Sequence, residues 1–549
     1  MTMHRSPGRL AVTFALAIVC ALAVASCGTF GKSSDTGVAS MLGDFEKAIE
    51  EQDPSATALL TSSPELAMIA YETTFDGMAA DKVDVDVQRA EEYSDGTATF
   101  ELKTTWSLGD KHEFETVTEG SARKLTMGWR VQWEPGLLAE DVPPGGSLRM
   151  VRTDANPAPA VLDRAGKRML TLQTINNIVL DPAATGDIAG SVAALATVIE
   201  PLAQLVTPDV IHRQLADAGN KPVTVVSVRD SDMNALAGDP ASVPGVTISK
   251  EPKLVLLDRR LKSPVFDGVQ DYWQAIRDAT SGWAVQAVAP GRPPVQLAGE
   301  QGPPGPDVKT SIDPNTQLDA LDAVVEVAQP ASILVVDAGT GEIRAAMRND
   351  QAEASDITID KGYTPGATLG SVAEVINRLA GADEAKAGQL LAQLGLGVDF
   401  TVAGVRPSGT GDQNTSVKPV TFRPEDLRVS ALNMATLGVA IARTGSVAPS
   451  VIPGVPGQAQ GGDLGAVDPA VLAAVDKAMR DTAADGDASD LVNAGGLRAL
   501  VGTNGPQGPG WFVGIQGDRV FVVYCEGERS GSAALAVAQR FLSPRPHPQ

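Results

Sequence analysis

The chain has 549 residues, 43% hydrophobic and 20% charged, enough for about three domains of ordinary size. Its 44 Lys and Arg stand against 67 Asp and Glu, a formal charge of −23, so nucleic acid is not an expected partner: phosphate recognition needs clustered cations. The four histidines, His4, His112, His212 and His547, are scattered without metal-ligand spacing, and neither a metal nor any other cofactor is expected.

The chain opens with Arg5 and Arg9 ahead of an apolar run from Leu10 to Ala25. That run falls short of the ~20 residues that span a bilayer, and it ends in small residues, as a secretory signal does. Val24-Ala25-Ser26-Cys27 resembles a bacterial lipobox. The resemblance implies that residues 1–26 are removed and that Cys27 is acylated, holding the protein on the outer face of the cell membrane. Cys20 would leave with the signal, so Cys525 has no partner for an internal disulfide. It lies in the strand-like run Val522-Val523-Tyr524-Cys525 and reads as a core residue.

Residues 36–141 read as a compact α+β block. Phe45 to Ile49 and Pro64 to Ala70 have helical periodicity, while Val83 to Val87, Thr97 to Leu102 and Glu113 to Val117 alternate as half-buried strands. The block closes on Trp129-Arg130-Val131-Gln132-Trp133, whose spacing puts both indoles on one strand face, expected to be core. It resembles the cone-shaped, nuclear-transport-factor-like N-terminal domain of methicillin-resistance-type penicillin-binding proteins. Pro143-Pro144-Gly145-Gly146 reads as a linker. Residues 150–300 follow with extended segments and a helical head from Asp187 to Ala216. Val161-Leu162-Asp163-Arg164-Ala165-Gly166 resembles the turn that opens the pedestal, or dimerisation, domain of class B penicillin-binding proteins. Gln301-Gly302-Pro303-Pro304-Gly305-Pro306 is a second expected linker.

From about residue 307 to 545 the resemblance is to the transpeptidase domain of the same family. Val308-Lys309-Thr310-Ser311-Ile312-Asp313 with Gln317 is similar to its opening segment. Val336-Asp337-Ala338-Gly339-Thr340-Gly341-Glu342-Ile343 is similar to its first hairpin. A second hairpin through Trp511 to Ile515 and Val520 to Tyr524, then a helix from Ser532 to Leu542, keep the family's order. The implied architecture is a multidomain α+β chain: a cone, a β-rich pedestal and an α/β transpeptidase-like domain.

Such transpeptidases need a serine nucleophile with a lysine three residues on, a Ser-x-Asn, and a Lys-Thr-Gly that binds substrate carboxylate and helps form the oxyanion hole. The first belongs in Tyr-x-Pro-Gly-Ser-Thr-Phe-Lys, and the chain has Tyr363-Thr364-Pro365-Gly366-Ala367-Thr368-Leu369-Gly370. Ala367 stands at the serine position and Gly370 at the lysine position. The third belongs where the chain has Gly502-Thr503-Asn504-Gly505-Pro506, so Thr503, Asn504 and Gly505 replace Lys-Thr-Gly. Leu394-Gly395-Leu396-Gly397 resembles the family's Phe-Gly-Phe-Gly turn, but no Ser-x-Asn lies between it and Ala367. Ser121-Ala122-Arg123-Lys124 has serine–lysine spacing on strand-like sequence and is a chance match; Arg443-Thr444-Gly445 is a helix-ending turn.

No catalytic residue is therefore expected at Ala367, Gly370, Thr503, Asn504 or Gly505. The expected geometry has Ala367 at a helix N-terminus facing the strand of Trp511-Phe512-Val513, with Thr503 and Asn504 on or beside that strand. The resemblance implies a lipoprotein of peptidoglycan assembly, a non-catalytic scaffold or binding protein whose partners are cell-wall synthesis proteins or peptidoglycan and which meets the membrane through its anchor. The alternative is an active D,D-transpeptidase that binds β-lactams covalently.

Overall fold

The computed structural model describes residues 37–109, 112–408, 422–503 and 509–544. Cys27 and the signal lie outside them, as do Asn504 and Gly505, and of Thr503 only the backbone is described. No helix among the described residues is long and apolar enough to cross a membrane. The architecture is multidomain α+β, and the chain divides into two compact bodies: residues up to 152 with 283–300, and 153–282 with 301 onward.

In the first body, helices α1 (Gly37–Glu50), α2 (Pro54–Leu59) and α3 (Pro64–Met78) precede strands β1 (Lys82–Glu92), β2 (Thr97–Leu108), β3 (His112–Leu125) and β4 (Gly128–Val131). The strands form an antiparallel sheet in chain order. Proline at the first turns of α2 and α3 suits positions whose N–H has no helical partner, and Asp53 caps α2 by accepting from the Ala56 N–H. Phe45, Tyr71, Phe75 and Trp106 fill the space between helices and sheet. Trp129 is core as expected, but Trp133 lies beyond the end of β4 and is only half-buried.

Strand β5 (Ser147–Thr153) ends this stretch of the first body. The second body then contains β6 (Val161–Leu162), β7 (Arg168–Leu180), α4 (Ile188–Ile199), α5 (Pro208–Asp217), β8 (Val223–Arg229), β9 (Val246–Leu256) and α6 (Phe266–Ala279). Helices α4 and α5 occupy the expected head and pack with Ile178, Leu180 and Val225 in a small core of their own.

The region expected to run as one piece from 150 to 300 is not one piece. Strands β10 (Gly282–Val288) and β11 (Val295–Glu300) return to the first body, in a three-stranded sheet ordered β11-β10-β5. Val285 and Ala287 are fully buried in the first body's core beside Leu148. Strand β10, with Ala284, Val285 and Ala287 buried, lies between β11 and β5, which pair with its two edges.

Nor does the Gln301–Pro306 segment divide the second body into independent cores. Gly302 is buried, and a Cβ there would lie 2.8 Å from the Gly282 nitrogen. Strand β12 (Val308–Lys309) pairs parallel with β6, and one hydrophobic core holds Val161, Leu170, Phe266 and Trp273 together with Leu334, Leu437 and Trp511.

The rest of the second body comprises α7 (Pro314–Val325), β13 (Ala331–Asp337), β14 (Ile343–Arg348), α8 (Asp350–Ala354), α9 (Gly370–Ala380), α10 (Glu384–Gln393), β15 (Asp399–Thr401), α11 (Ala431–Arg443), β16 (Gln458–Gln460), α12 (Pro469–Ala484), β17 (Arg498–Thr503), β18 (Gly510–Gln516), β19 (Arg519–Cys525) and α13 (Ser530–Leu542). A five-stranded sheet ordered β14-β13-β19-β18-β17 lies at its centre, and β13, β18 and β19 are buried on both faces. That explains their near-continuous Val, Ile and Phe runs. At the outer edge of β14, the buried Gln317 of α7 acts as a one-residue strand. Its Nε2 donates to the Ala346 carbonyl (2.8 Å) and its Oε1 accepts from the Ala346 N–H (3.0 Å).

The β13–β14 turn is held by charge. The Asp337 carboxylate accepts from the N–H groups of Gly339 (2.8 Å) and Thr340 (2.9 Å) and pairs with Arg344, which also reaches Asp518 (2.8 Å). Burial alone pushes the Asp337 carboxyl up, but those two N–H donors and Arg344 outweigh it and hold it below its usual value of 3.8. A depressed folded-state value contributes stability that is present above the unfolded value and lost as pH falls through the folded one. Urea midpoints of the wild type and Asp337→Asn should therefore differ most above about pH 4 and converge as pH falls further; a difference independent of pH would contradict this.

Candidate functional site

Tyr363 begins the segment at which the resemblance puts the nucleophile. Its N–H and C=O exchange 2.8 Å hydrogen bonds with Val429, which anchors the chain before the turn. Gly366 then takes φ +57°, a left-handed conformation that disfavours side chains and gives the Pro365-Gly366 pair its purpose. Residues Gly366–Leu369 wind as a single 3₁₀ turn that leads into α9, whose Val372, Val375 and Ile376 are buried.

The turn does not present Ala367 to the sheet. Ala367 is exposed, with its carbonyl accepting from the Gly370 N–H, and it is Thr368 that is buried. Leu369, the last residue of the turn, is buried as well. Thr368 meets β17 at Gly502: a Cβ on Gly502 would lie 2.7 Å from the Thr368 Cα and closer still to its nitrogen and Oγ1. The turn thus rests on the backbone of the strand that carries Thr503 as its last residue. Thr368 Oγ1 has no hydrogen-bond partner among the described residues.

Gly370 lies at the other extreme. A Cβ there would meet nothing within 4 Å, so the lysine position of the motif is vacant space.

Aromatic side chains hold this arrangement from below. Gly502 pairs with Trp511 across β17 and β18, and Trp511 with Tyr524 across β18 and β19. Trp511 is fully buried, and its indole Nε1 donates to the Thr364 carbonyl (3.0 Å). The Tyr524 ring lies 4.5 Å from that indole and 4.2 Å from the Tyr363 ring, so three aromatics tie the turn to the sheet. Burial raises the hydroxyl pKa of Tyr363 and Tyr524 well above the usual tyrosine range. At Tyr524 the carboxylate of Glu526, which accepts from its hydroxyl at 2.5 Å, adds to the rise. Both phenols are therefore neutral at ordinary pH, Tyr524 donating to Glu526 and the Tyr363 hydroxyl accepting from the Thr358 N–H (3.3 Å).

Arg428, an exposed cation that no motif pointed to, donates to Thr364 Oγ1 beside the turn. Thr368 stands within the motif frame and Tyr524 within the second hairpin, but motif positions name the residues that react and not those that pack beside them, and Arg428 belongs to no motif.

Leu394-Gly395-Leu396-Gly397 follows α10, with left-handed Gly395 and Gly397. Asn433 of α11 binds its backbone, donating to the Gly395 and Val398 carbonyls (2.8 Å each). Asn433 and Ser430 form a capping box at the start of α11. Ser121 to Lys124 lie on β3, and Thr444, with φ +63°, ends α11 as a turn. Among the described residues no group of His, Cys, Asp and Glu is placed to hold a metal ion.

No curated protein matches the sequence significantly. Residues 39–143 match the family of NTF2-like N-terminal transpeptidase domains. The match spans the three helices and the four-stranded sheet of the first body, and supports a methicillin-resistance-type, penicillin-binding-protein-like character for that segment.

Proposed function

We propose that the protein is a penicillin-binding-protein-like lipoprotein of cell-wall assembly, whose C-terminal region keeps a transpeptidase-like frame without performing transpeptidation. It would be anchored through Cys27 on the outer membrane face and act as a scaffold or binding protein for peptidoglycan or for proteins that build it. The observation that carries the reading is the side chain at the nucleophile position: Ala367 is exposed on a turn seated against the face of β17 at Gly502. It offers solvent a methyl group that cannot attack a carbonyl, and Gly370, at the lysine position, has no side chain to take a proton.

Losing the nucleophile of a comparable hydrolase costs on the order of 10⁶ in turnover, and groups that act as a unit do not restore activity one at a time. Incubating the purified protein with fluorescent penicillin should leave no covalent label. The double variant Ala367→Ser, Gly370→Lys should label little more, although the space around Gly370 admits the lysine. A covalent adduct on the wild-type chain, mapped by peptide mass, would establish the active transpeptidase instead.

A further inference from the structure

The first body carries an apolar pocket of about 490 Å³ that none of the motifs accounts for. Leu66 and Ile69 of α3 form one wall, Trp133 and Pro135 a second, and Val288 and Pro290 at the end of β10 a third. No charged side chain lines it; the hydroxyls of Thr73 and Ser147 are its polar side-chain groups. Size and lining are those of a site for a small apolar ligand. Leu66 and Ile69 are each 63% exposed, three residues apart on one helix face, and Leu59 of the neighbouring α2 is 67% exposed. An aliphatic patch of this kind beside an indole is costly to leave in water.

Chain length decides what reaches it. Gly37, the first described residue, abuts the Trp129 indole, with a Cβ there 3.4 Å from Cδ1. Trp133 of the pocket is four residues further along that segment, at most about 14 Å away. Cys27 is ten residues before Gly37, a tether of ~17 Å as a coil and at most about 35 Å when extended. A body held by so short a tether to a lipidated cysteine stays within its own diameter of the bilayer. Charge selects the lipid: the exposed Glu65, Glu72 and Glu134, neighbours in sequence of the lining residues, repel anionic headgroups and suit an ammonium.

We infer that this pocket is a membrane-contact site: the patch of Leu66, Ile69 and Trp133 rests on the bilayer, and an acyl chain of a zwitterionic phospholipid enters the pocket. The inference rests on the reading of Cys27 as a lipid anchor for its biological setting, but the contact itself does not need the anchor. It is therefore tested on the chain from Gly28, which lacks the lipidated cysteine and keeps every described residue.

In flotation with vesicles of phosphatidylcholine and phosphatidylethanolamine, that chain should rise with the lipid, and less of it with phosphatidylglycerol vesicles. Leu66→Gln with Ile69→Gln, both exposed helical positions that tolerate glutamine, should cut the bound fraction at least fivefold with an unchanged circular dichroism spectrum. Met127→Gln, at an 80% exposed apolar residue between β3 and β4, should bind as wild type. The proposal is overturned if the unmodified chain stays in the aqueous fraction, if the double variant floats equally well, or if phosphatidylglycerol is preferred. A concentration-dependent dimer abolished by the double variant, without flotation, would overturn it too and assign the patch to a second copy. Detergent partition of the full-length wild type against Cys27→Ser judges the anchor separately, so the two readings can fail independently.

Discussion

Trp511→Ala should lower the stability of the second body by about 3–5 kcal/mol, the usual cost of truncating a fully buried indole. Three losses coincide at this position. The cavity opens in the middle of the β17-β18-β19 sheet, the Thr364 carbonyl loses its donor, and the Tyr524 ring loses the face it packs against. Trp511→Phe keeps most of the buried area but not the N–H, and should cost about 1 kcal/mol from the lost hydrogen bond plus a smaller packing defect. Urea unfolding of both variants measures the difference. An alanine variant within ~1 kcal/mol of wild type would show that the 3₁₀ turn is not docked through this ring.

The second large effect is expected at Gly502. A valine there must place its Cβ where the Thr368 backbone already is, and the obstacle is main chain, which cannot rotate aside. Overpacking of this kind costs ~1–3 kcal/mol when side chains can adjust, and a backbone obstacle puts Gly502→Val at about 3 kcal/mol. Gly370→Ala is the natural contrast. It has open space and helical dihedrals, so relief of backbone entropy should raise stability by roughly 0.5–1 kcal/mol. One glycine barred from carrying a methyl and another improved by it distinguish a closed turn from an open groove. Equal effects of the two substitutions would show that Thr368 is not seated on Gly502.

The central sheet of the second body was largely legible because β13, β18 and β19 are buried on both faces. Runs such as Ser332 to Val336 and Val520 to Val523 are almost wholly apolar, and the Asp337-Ala338-Gly339-Thr340-Gly341 turn has its own hydrogen-bonding chemistry. The helical head at α4 and α5 was legible for a similar reason, through the 3.6-residue period of its apolar positions.

The path of residues 283–300 was not legible. Trp283-Ala284-Val285-Gln286 reads as any half-buried strand does, and such a pattern states which face is covered without stating which body covers it. The inward residue of the 3₁₀ turn was hidden for a related reason. The motif frame around Ala367 names the residue that reacts, whereas the inward residue is decided by the contact of the turn with Gly502, which no letter near Ala367 states. Packing partners such as Gly502 against Thr368 are long-range facts, far apart in the chain, and no local pattern contains them.

The return of β10 and β11 to β5 bears on how the chain acquires its shape. The segment that matches the NTF2-like family ends at residue 143, yet the body it belongs to is incomplete until residue 300 has been made. Until then β5 presents an unpaired edge, and Leu148 lacks the cover of Val285 and Ala287. In a polypeptide that emerges N-terminus first, closure of the first body waits for the whole stretch from 153 to 282, a long loop whose ends are slow to meet. That stretch holds β7, β8 and β9, so these strands are available to pair while the first body is still open. The order of assembly along the chain and the order of the bodies in the sequence are consequently different.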